Sequence, residues 1–261
     1  MLAACLCVAA CSAGEAGSRA PATATLDVFA ASSLTDAFVE LAAQVEQATD
    51  IDVRLTFAGS QTLRLQLEQG AAADLFASAD RAHVVALRQA GMVGVPRRFA
   101  SNQLALVVPA DGDQPVNDLA GLDRAARLVV GTVQVPVGAY TVQLFANGAA
   151  AYGPEWGTAV AAAVVSHEAN VRLLRAKVEL GEADAGVVYR SDTVGRTALR
   201  PVPIPPSLNV AVDYYIAPVA GARQTTAAQL WLRHLTSAAG VEVLRRWGFA
   251  AGEQLSESRQ P

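Results

Sequence analysis

The stretch LDVFAASSLTDAF, residues 26–38, changes its hydrophobic pattern halfway along. Its first four residues are typical of a short strand, whereas from Leu34 onward the apolar residues follow helical spacing. Two hydroxyl side chains, Ser32 and Ser33, lie at the junction, with neither a Gly-rich loop nor a Lys or Arg nearby. The stretch therefore predicts a strand-to-helix turn lined by hydroxyls and backbone amides.

Strand-like and helix-like segments alternate beyond this turn, which predicts an α/β fold with parallel sheets and helices on both faces. We expect a weak helix at 116–121 and a long Ala-rich helix from about 157. Two long apolar strands, 104–109 and 210–219, are interpreted as crossings between two lobes. The predicted limits are 25–106 plus 217–255 for the first lobe and 107–216 for the second, with a ligand cleft between them.

Composition narrows the class of protein. The 261-residue chain is 52% hydrophobic and 17% charged, which is typical of a globular protein. Its formal net charge is −4 and no dense Lys/Arg run occurs. These features argue against nucleic acid or an anionic membrane surface as the main partner.

The amino terminus predicts export. All three cysteines, Cys5, Cys7 and Cys11, lie in the apolar opening, so the folded body has no zinc-finger or disulfide framework. The segment VAAC ending at Cys11 resembles a bacterial lipobox, in which the cysteine is lipidated; LAAC ending at Cys5 is a second candidate. An ordinary export signal is the alternative. We expect residues 1–11 to be the signal and 12–24 a flexible tether.

Several predicted helices begin with groups that can donate hydrogen bonds. Ser33 precedes Asp36 at the spacing of a capping box, and a helix cap alone explains that pair. The pattern recurs, however: Ser60 in FAGSQTL follows a strand, the turn in VPVGAY exposes amides, and Asn170 in EANVR precedes Val171 as a predicted N-cap. We therefore predict that four helix N-termini face one cleft.

Such a set of N-termini forms an anion site without any basic side chain, because each supplies unpaired N–H groups and a partial positive charge. Hydrogen bonds to a charged group contribute roughly 1.5–3 kcal/mol each. Five to eight of them are ample for micromolar or tighter binding, about −8 kcal/mol, after association costs. The predicted ligand is a small anion.

The motifs AGSQTLRLQLEQGAAADLFASAD, VPVGAY and RRWGF, in this order, resemble the periplasmic molybdate-binding protein (ModA) family of ABC importers. The resemblance extends from about Leu26 to Phe249. It implies a type II-like periplasmic-binding-protein fold that closes on a tetrahedral oxyanion. It also implies five ligand-binding positions: hydroxyls and amides of Ser33 and Ser60, backbone amides of Val137 and Val171, and the phenol of Tyr189.

The resemblance implies a function as well. The protein is expected to capture molybdate or tungstate outside the cytoplasm, periplasmic or lipid-anchored, and to deliver it to a permease and its ATPase. No cofactor is expected, and we expect a monomer. Departures from the family pattern at Gly59, Ala72 and Val137 remove none of the five positions, although Val137 alters the predicted pocket volume. Sulfate is the main alternative ligand.

The sequence argues against two other classes of protein. Tyr214 and Tyr215 resemble the tyrosine pair of ferric-binding proteins, but consecutive strand residues point to opposite faces, so we expect one buried and one exposed ring. The three histidines, His83, His167 and His234, lack metal-ligand spacing. An enzyme needs a nucleophile with a base, and Ser60 does not lie in a nucleophile elbow. We predict a binding protein and not an enzyme.

Overall fold

The computed structural model describes residues 24–251. Within this range the strands are β1 (Ala24–Ala31), β2 (Ile51–Ala58), β3 (Leu75–Ser78), β4 (Arg97–Pro109), β5 (Leu128–Gly131), β6 (Val164–Glu168), β7 (Ala185–Tyr189), β8 (Leu199–Val202), β9 (Ala211–Pro218) and β10 (Ala250–Ala251). The α-helices are α1 (Thr35–Ala48), α2 (Ser60–Glu68), α3 (Arg81–Gln89), α4 (Pro136–Tyr152), α5 (Pro154–Ala163), α6 (Val171–Glu179), α7 (Thr225–Leu235) and α8 (Ala238–Arg246). Short 3-10 turns span Ser32–Leu34, Ala120–Arg124 and Arg190–Thr193.

The predicted α/β class is confirmed by the sheet. The strands follow the order β2-β1-β3-β9-β4-β7-β5-β6, and β8 and β10 also pair with β4. β1 is parallel to β2 and β3, and β5 is parallel to β6 and β7. The antiparallel strands β4 and β9 lie between these two parallel groups. Each parallel group, with its helices, forms one lobe.

Strand β4 belongs to both lobes. Its residues from Arg97 to Gln103 pair with β9, whereas those from Leu104 to Pro109 pair with β7 and β8. The exchange of partners between Gln103 and Leu104 is one passage between the lobes. The chain returns between β8 and β9, because β9 pairs only with strands of the first lobe over its described length.

The first lobe is closed by elements distant in sequence. One face of α1 is buried, as its helical spacing predicts; its members are Ala37, Phe38, Leu41, Ala42 and Val45. The Phe38 ring packs edge-on against Trp231 of α7 at 5.3 Å between centroids. Phe99 and Tyr214 extend this aromatic cluster towards the centre of the sheet. The carboxyl-terminal helices α7 and α8 thus pack against α1, and α7 also against β1.

Three local predictions differ from the structure. The Ala-rich helix is shorter than expected: α5 ends at Ala163, and Val164 and Val165 begin β6, since β-branched residues favour a strand and β5 offers an edge. The helix expected at 116–121 is only the 3-10 turn Ala120–Arg124. Strand β8 was not predicted. Among residues 24–251, no helix combines the length and apolar character that a bilayer crossing requires.

Candidate anion-binding site

The structure brings all five sequence-predicted positions, Ser33, Ser60, Val137, Val171 and Tyr189, around one cavity between the lobes. Each is at most 5% exposed. The cavity encloses no more than about 190 Å³, which suits a small ion and not a larger metabolite. Its lining consists of Ala31, Ser32, Ser33, Ala58, Gly59, Ser60, Ala79, Val135, Pro136, Val137, Val171 and Tyr189.

Four chain segments reach the cavity at the start of a helical element. In the first lobe these are the 3-10 turn after β1 and the start of α2; in the second they are the starts of α4 and α6. Pro136 occupies the first turn of α4, and the Asn170 side chain caps α6 by accepting hydrogen bonds from Arg172 N (3.0 Å) and Leu173 N (3.1 Å). The amides of Val137 and Val171 lie in first turns, where no acceptor exists one turn earlier.

The oxygen of the Ser60 hydroxyl already accepts a hydrogen bond from the protein. Its Oγ accepts a hydrogen bond from the backbone N–H of Ala79 at 3.1 Å. A hydroxyl has a single hydrogen, and an accepting lone pair does not use it. Ser60 therefore retains its own O–H as a donor at the cavity wall.

Ser33 and Asp36 have the spacing of a capping box but do not form one. Ser33 lies inside the 3-10 turn, and no side chain caps the start of α1. Its Oγ instead lies 2.9 Å from the phenol oxygen of Tyr214 in β9. The Asp36 carboxylate turns to the second lobe, where it pairs with Arg172 (2.5 Å) and Arg196 (3.1 Å).

The phenol of Tyr189 is buried without a partner. Tyr189 lines the cavity, and its side-chain oxygen makes no hydrogen bond to any residue of the described range 24–251. Burial raises its pKa well above the usual range, so the group is a neutral donor. An unpaired buried hydroxyl costs roughly 1–3 kcal/mol, which indicates that this group is kept for a ligand.

A buried carboxyl lies behind Tyr189. Asp192 accepts a hydrogen bond from the Tyr189 backbone N–H at 3.3 Å and lies 3.8 Å from Arg175. Burial raises the pKa of Asp192 to about 7, against the lowering effect of Arg175. Asp192 is not among the residues that line the cavity, and these lining residues include no Asp or Glu.

The lobes touch each other around the cavity. Arg172 of α6 donates from Nε to the Ser32 carbonyl at 3.1 Å, in addition to its ion pair with Asp36. Gln61 Nε2 donates to the Ala169 carbonyl at 2.8 Å. These contacts define a closed arrangement. The charge of Arg172 is balanced by Asp36, and neither Lys nor Arg is among the lining residues.

The tyrosine pair and the three histidines have environments that differ from those of metal ligands. Tyr214 is fully buried and Tyr215 is half-buried, in agreement with the opposite faces expected for strand neighbours. His83 Nε2 lies 3.0 Å from the Gln134 carbonyl, His234 bonds to Gln44, and His167 is exposed. Within residues 24–251 no cluster of His, Cys, Asp or Glu has a geometry that could hold a metal ion.

Sequence reasoning missed Tyr214, Asn102, Arg172 and Gln61 as parts of the site's surroundings. A buried tyrosine needs a hydrogen-bond partner for its hydroxyl, and that requirement was the signal available for Tyr214. The partner itself, Ser33, is 181 positions away in sequence. Pairs across the cleft, such as Arg172 with Asp36, carry no sequence signal because only the closed arrangement brings them together.

Two lobes that close over a small cavity lined with hydrogen-bond donors are the architecture of a solute-binding protein. The family model described as bacterial extracellular solute-binding protein matches residues 26–250, and the chain belongs to this family. This membership places the protein outside the cytoplasm and confirms that it is a binding protein and not an enzyme.

Individual relatives sharpen this assignment. The chain is 34% identical to a molybdate-binding protein ModA of Mycobacterium tuberculosis, over 90% of this chain and 91% of the relative. It is 31% identical to the ModA of Escherichia coli, over 92% and 95% of the two chains. The predicted resemblance to the ModA family is confirmed.

Solved structures share the fold. The Azotobacter vinelandii periplasmic molybdate-binding protein superposes with a TM-score of 0.76 at 17% identity, covering 87% of this chain and all of that one. The sulfate-binding protein SubI of Mycobacterium tuberculosis gives a TM-score of 0.75 at 15% identity, covering 88% of each chain. At such identities the likeness confirms the two-lobed fold alone.

Proposed function

We propose that this protein captures molybdate outside the cytoplasm and delivers it to the permease and ATPase of an ABC importer. The observation that carries the proposal is a cavity whose lining presents donors and no carboxylate, set between two lobes in contact. The ModA relatives, at 31% and 34% identity, support molybdate as the ligand.

The donors are those of a site for a fully deprotonated anion. Ser60 keeps its hydrogen for the cavity, Tyr189 is a neutral phenol without a partner among the described residues, and Val137 and Val171 present amides of first turns. Hydrogen bonds to a charged group contribute roughly 1.5–3 kcal/mol each, so these donors suffice without a basic side chain. We assign the ligand-binding role to Ser33, Ser60, Val137, Val171 and Tyr189.

The same lining governs selectivity. A protonated phosphate needs an acceptor for its hydrogen, and the cavity offers no carboxylate, so phosphate is disfavoured. Sulfate is fully deprotonated but smaller, and its oxygens lie farther from donors that the backbone holds in place. Molybdate and tungstate have nearly the same shape, and we propose that both bind.

Calorimetry of the purified protein tests the proposal. Molybdate, tungstate, sulfate and phosphate are titrated in turn near neutral pH. The first two are expected to bind with a Kd of about 1 μM or tighter, and the last two much more weakly. Sulfate binding as tight as molybdate binding would contradict the selectivity argument, and an absence of molybdate binding would overturn the function.

The anchoring proposal concerns the amino terminus. We propose that Cys11, which lies outside the described residues 24–251, carries a lipid that holds the protein at the outer face of the cytoplasmic membrane. A Bacillus subtilis relative named a putative substrate-binding lipoprotein, 28% identical over 96% of this chain, supports it. Mass spectrometry of the native protein tests it: a mature end beyond Ser12 without acyl chains contradicts anchoring. Sedimentation of the purified protein tests the proposed monomer.

A further inference from the structure

The direction in which the Ser33 hydrogen points decides whether this hydroxyl can bind an anion. Ser33 Oγ lies 2.9 Å from the phenol oxygen of Tyr214, and that distance allows either oxygen to donate. If Ser33 donated to Tyr214, only its lone pairs would face the cavity, and they repel an anion. If Tyr214 donates, the Ser33 hydrogen is left for the ligand.

A backbone amide fixes the orientation of a nearby side-chain amide, that of Asn102. Gln103 N–H donates to Asn102 Oδ1 at 2.9 Å, and a backbone N–H has no alternative to donating. The other side-chain atom of Asn102 is therefore Nδ2, which donates to Ser191 Oγ at 2.9 Å. Asn102 is only 5% exposed, so water competes little for its second N–H.

Asn102 also acts on the phenol of Tyr214. Burial raises the pKa of Tyr214 well above its usual range, and hydrogen bonding with the side chains of Ser33 and Asn102 lowers it. The phenol is therefore neutral and keeps its hydrogen. Because Nδ2 of Asn102 can only donate, the phenol hydrogen is directed to Ser33 Oγ, 2.9 Å away.

We propose that Asn102 and Tyr214 are positioning residues that hold Ser33 as a hydrogen-bond donor and thereby restrict the cavity to anions without a proton. In the proposed sequence of donors, the Gln103 amide donates to Asn102, Asn102 orients the Tyr214 phenol, and the phenol donates to Ser33. Ser60 reaches the same polarity directly, because its Oγ accepts from the Ala79 amide. This inference rests on the proposed function, since it explains how the oxyanion site selects its ligand.

Calorimetry with Tyr214→Phe tests the role. The substitution keeps the ring and removes the hydroxyl, so Ser33 can rotate and present lone pairs to the cavity. Molybdate affinity is expected to fall roughly tenfold. Phosphate affinity is expected to fall less or to rise, because a rotated Ser33 accepts its proton. Tyr215→Phe, on the opposite face of the same strand, is the matched control and should bind like the parent.

A double-mutant cycle separates positioning from packing. In a Ser33→Ala background the Tyr214→Phe substitution is expected to change molybdate affinity less than about twofold, because no hydroxyl remains to be oriented. An equal loss in both backgrounds would assign Tyr214 to packing and overturn the inference. Parent-like binding by Tyr214→Phe would overturn it too, while leaving the molybdate function intact. A parent that binds no molybdate would instead overturn the function, and the inference with it.

A substitution of Asn102 tests the other end of this hydrogen-bond network. The Asn102 amide has two hydrogens, whereas the hydroxyl of Asn102→Thr has one. If that hydrogen bonds to Ser191, the phenol of Tyr214 is no longer held as a donor to Ser33. Molybdate affinity is expected to fall a few-fold, and again only when Ser33 is present. Thermal unfolding of each variant without ligand verifies that the compared proteins are folded. A loss that persists in Ser33→Ala would contradict the proposed sequence of donors.

Discussion

The two lobes contribute to the cavity in different ways. The first lobe presents the side-chain hydroxyls of Ser33 and Ser60, each already bonded to a buried partner. The second lobe presents the first-turn amides of Val137 and Val171 and the unpartnered phenol of Tyr189. Hydroxyl rotors need neighbours to orient them, whereas helix amides are oriented by the helix itself. The first lobe is therefore sensitive to side-chain substitution, and the second, apart from the Tyr189 phenol, to changes of the backbone.

The largest effect is expected when both hydroxyls of the first lobe are removed. Ser33→Ala combined with Ser60→Ala deletes two donors to a charged ligand, worth about 3–6 kcal/mol together, so molybdate affinity should fall by about 100-fold or more. Calorimetry measures the loss. Ser237→Ala, which removes a helix cap on α8, should leave affinity unchanged although it lowers stability by about 1 kcal/mol. Retention of parent affinity in the double variant would remove the first lobe from the site.

The second lobe offers a way to delete an amide. Val171 is the first residue of α6, and Asn170 before it has φ −162° and ψ 164°, close to the extended conformation that precedes proline. Val171→Pro should therefore fit the backbone and remove one N–H, weakening molybdate binding by about 10-fold or more.

Val171→Ala is the matched control, since it loses side-chain packing as well but keeps the amide. Its affinity should stay within about threefold of the parent, because the predicted donor is untouched. Equal affinities for the Pro and Ala variants would exclude the Val171 amide as a donor. The contrast between the lobes would then rest on Val137 alone.

Tyr189→Phe separates binding from stability within the second lobe. Molybdate affinity should fall by about tenfold, because one donor to a charged ligand is lost. The free energy of unfolding without ligand should be unchanged or higher, since the phenol oxygen has no partner in the described range 24–251. Urea denaturation and calorimetry measure the two quantities, with the exposed Tyr152→Phe as control. A clear loss of stability would show that the hydroxyl has a structural partner.

The sequence predicted the parts of the site that local rules govern. Turns from strands into helices, the N-cap at Asn170 and the buried face of α1 follow from spacing and residue type. The partners of Ser33 and Asp36 could not be predicted in this way. Both satisfy the capping-box pattern, and the fold uses them for contacts with Tyr214 and Arg172, which lie 181 and 136 positions away. Tertiary contacts overrode the local signal where the chain approaches the cavity.

The smallest expected effect concerns contact between the lobes and not the ligand itself. Gln61 lies beside Ser60 at the start of α2 and donates to the Ala169 carbonyl of the second lobe at 2.8 Å. Gln61→Ala removes a neutral hydrogen bond that exists only when the lobes are closed, worth about 0.5–1.5 kcal/mol. Closure should become less favourable by that amount, so molybdate should dissociate about two- to tenfold faster while its association rate changes little. Stopped-flow fluorescence measures both rates, and Gln66→Ala in the same helix is the control. Scattering of the parent with and without molybdate should show a smaller radius of gyration with ligand. An unchanged dissociation rate in Gln61→Ala would show that ligand contacts alone hold the lobes together.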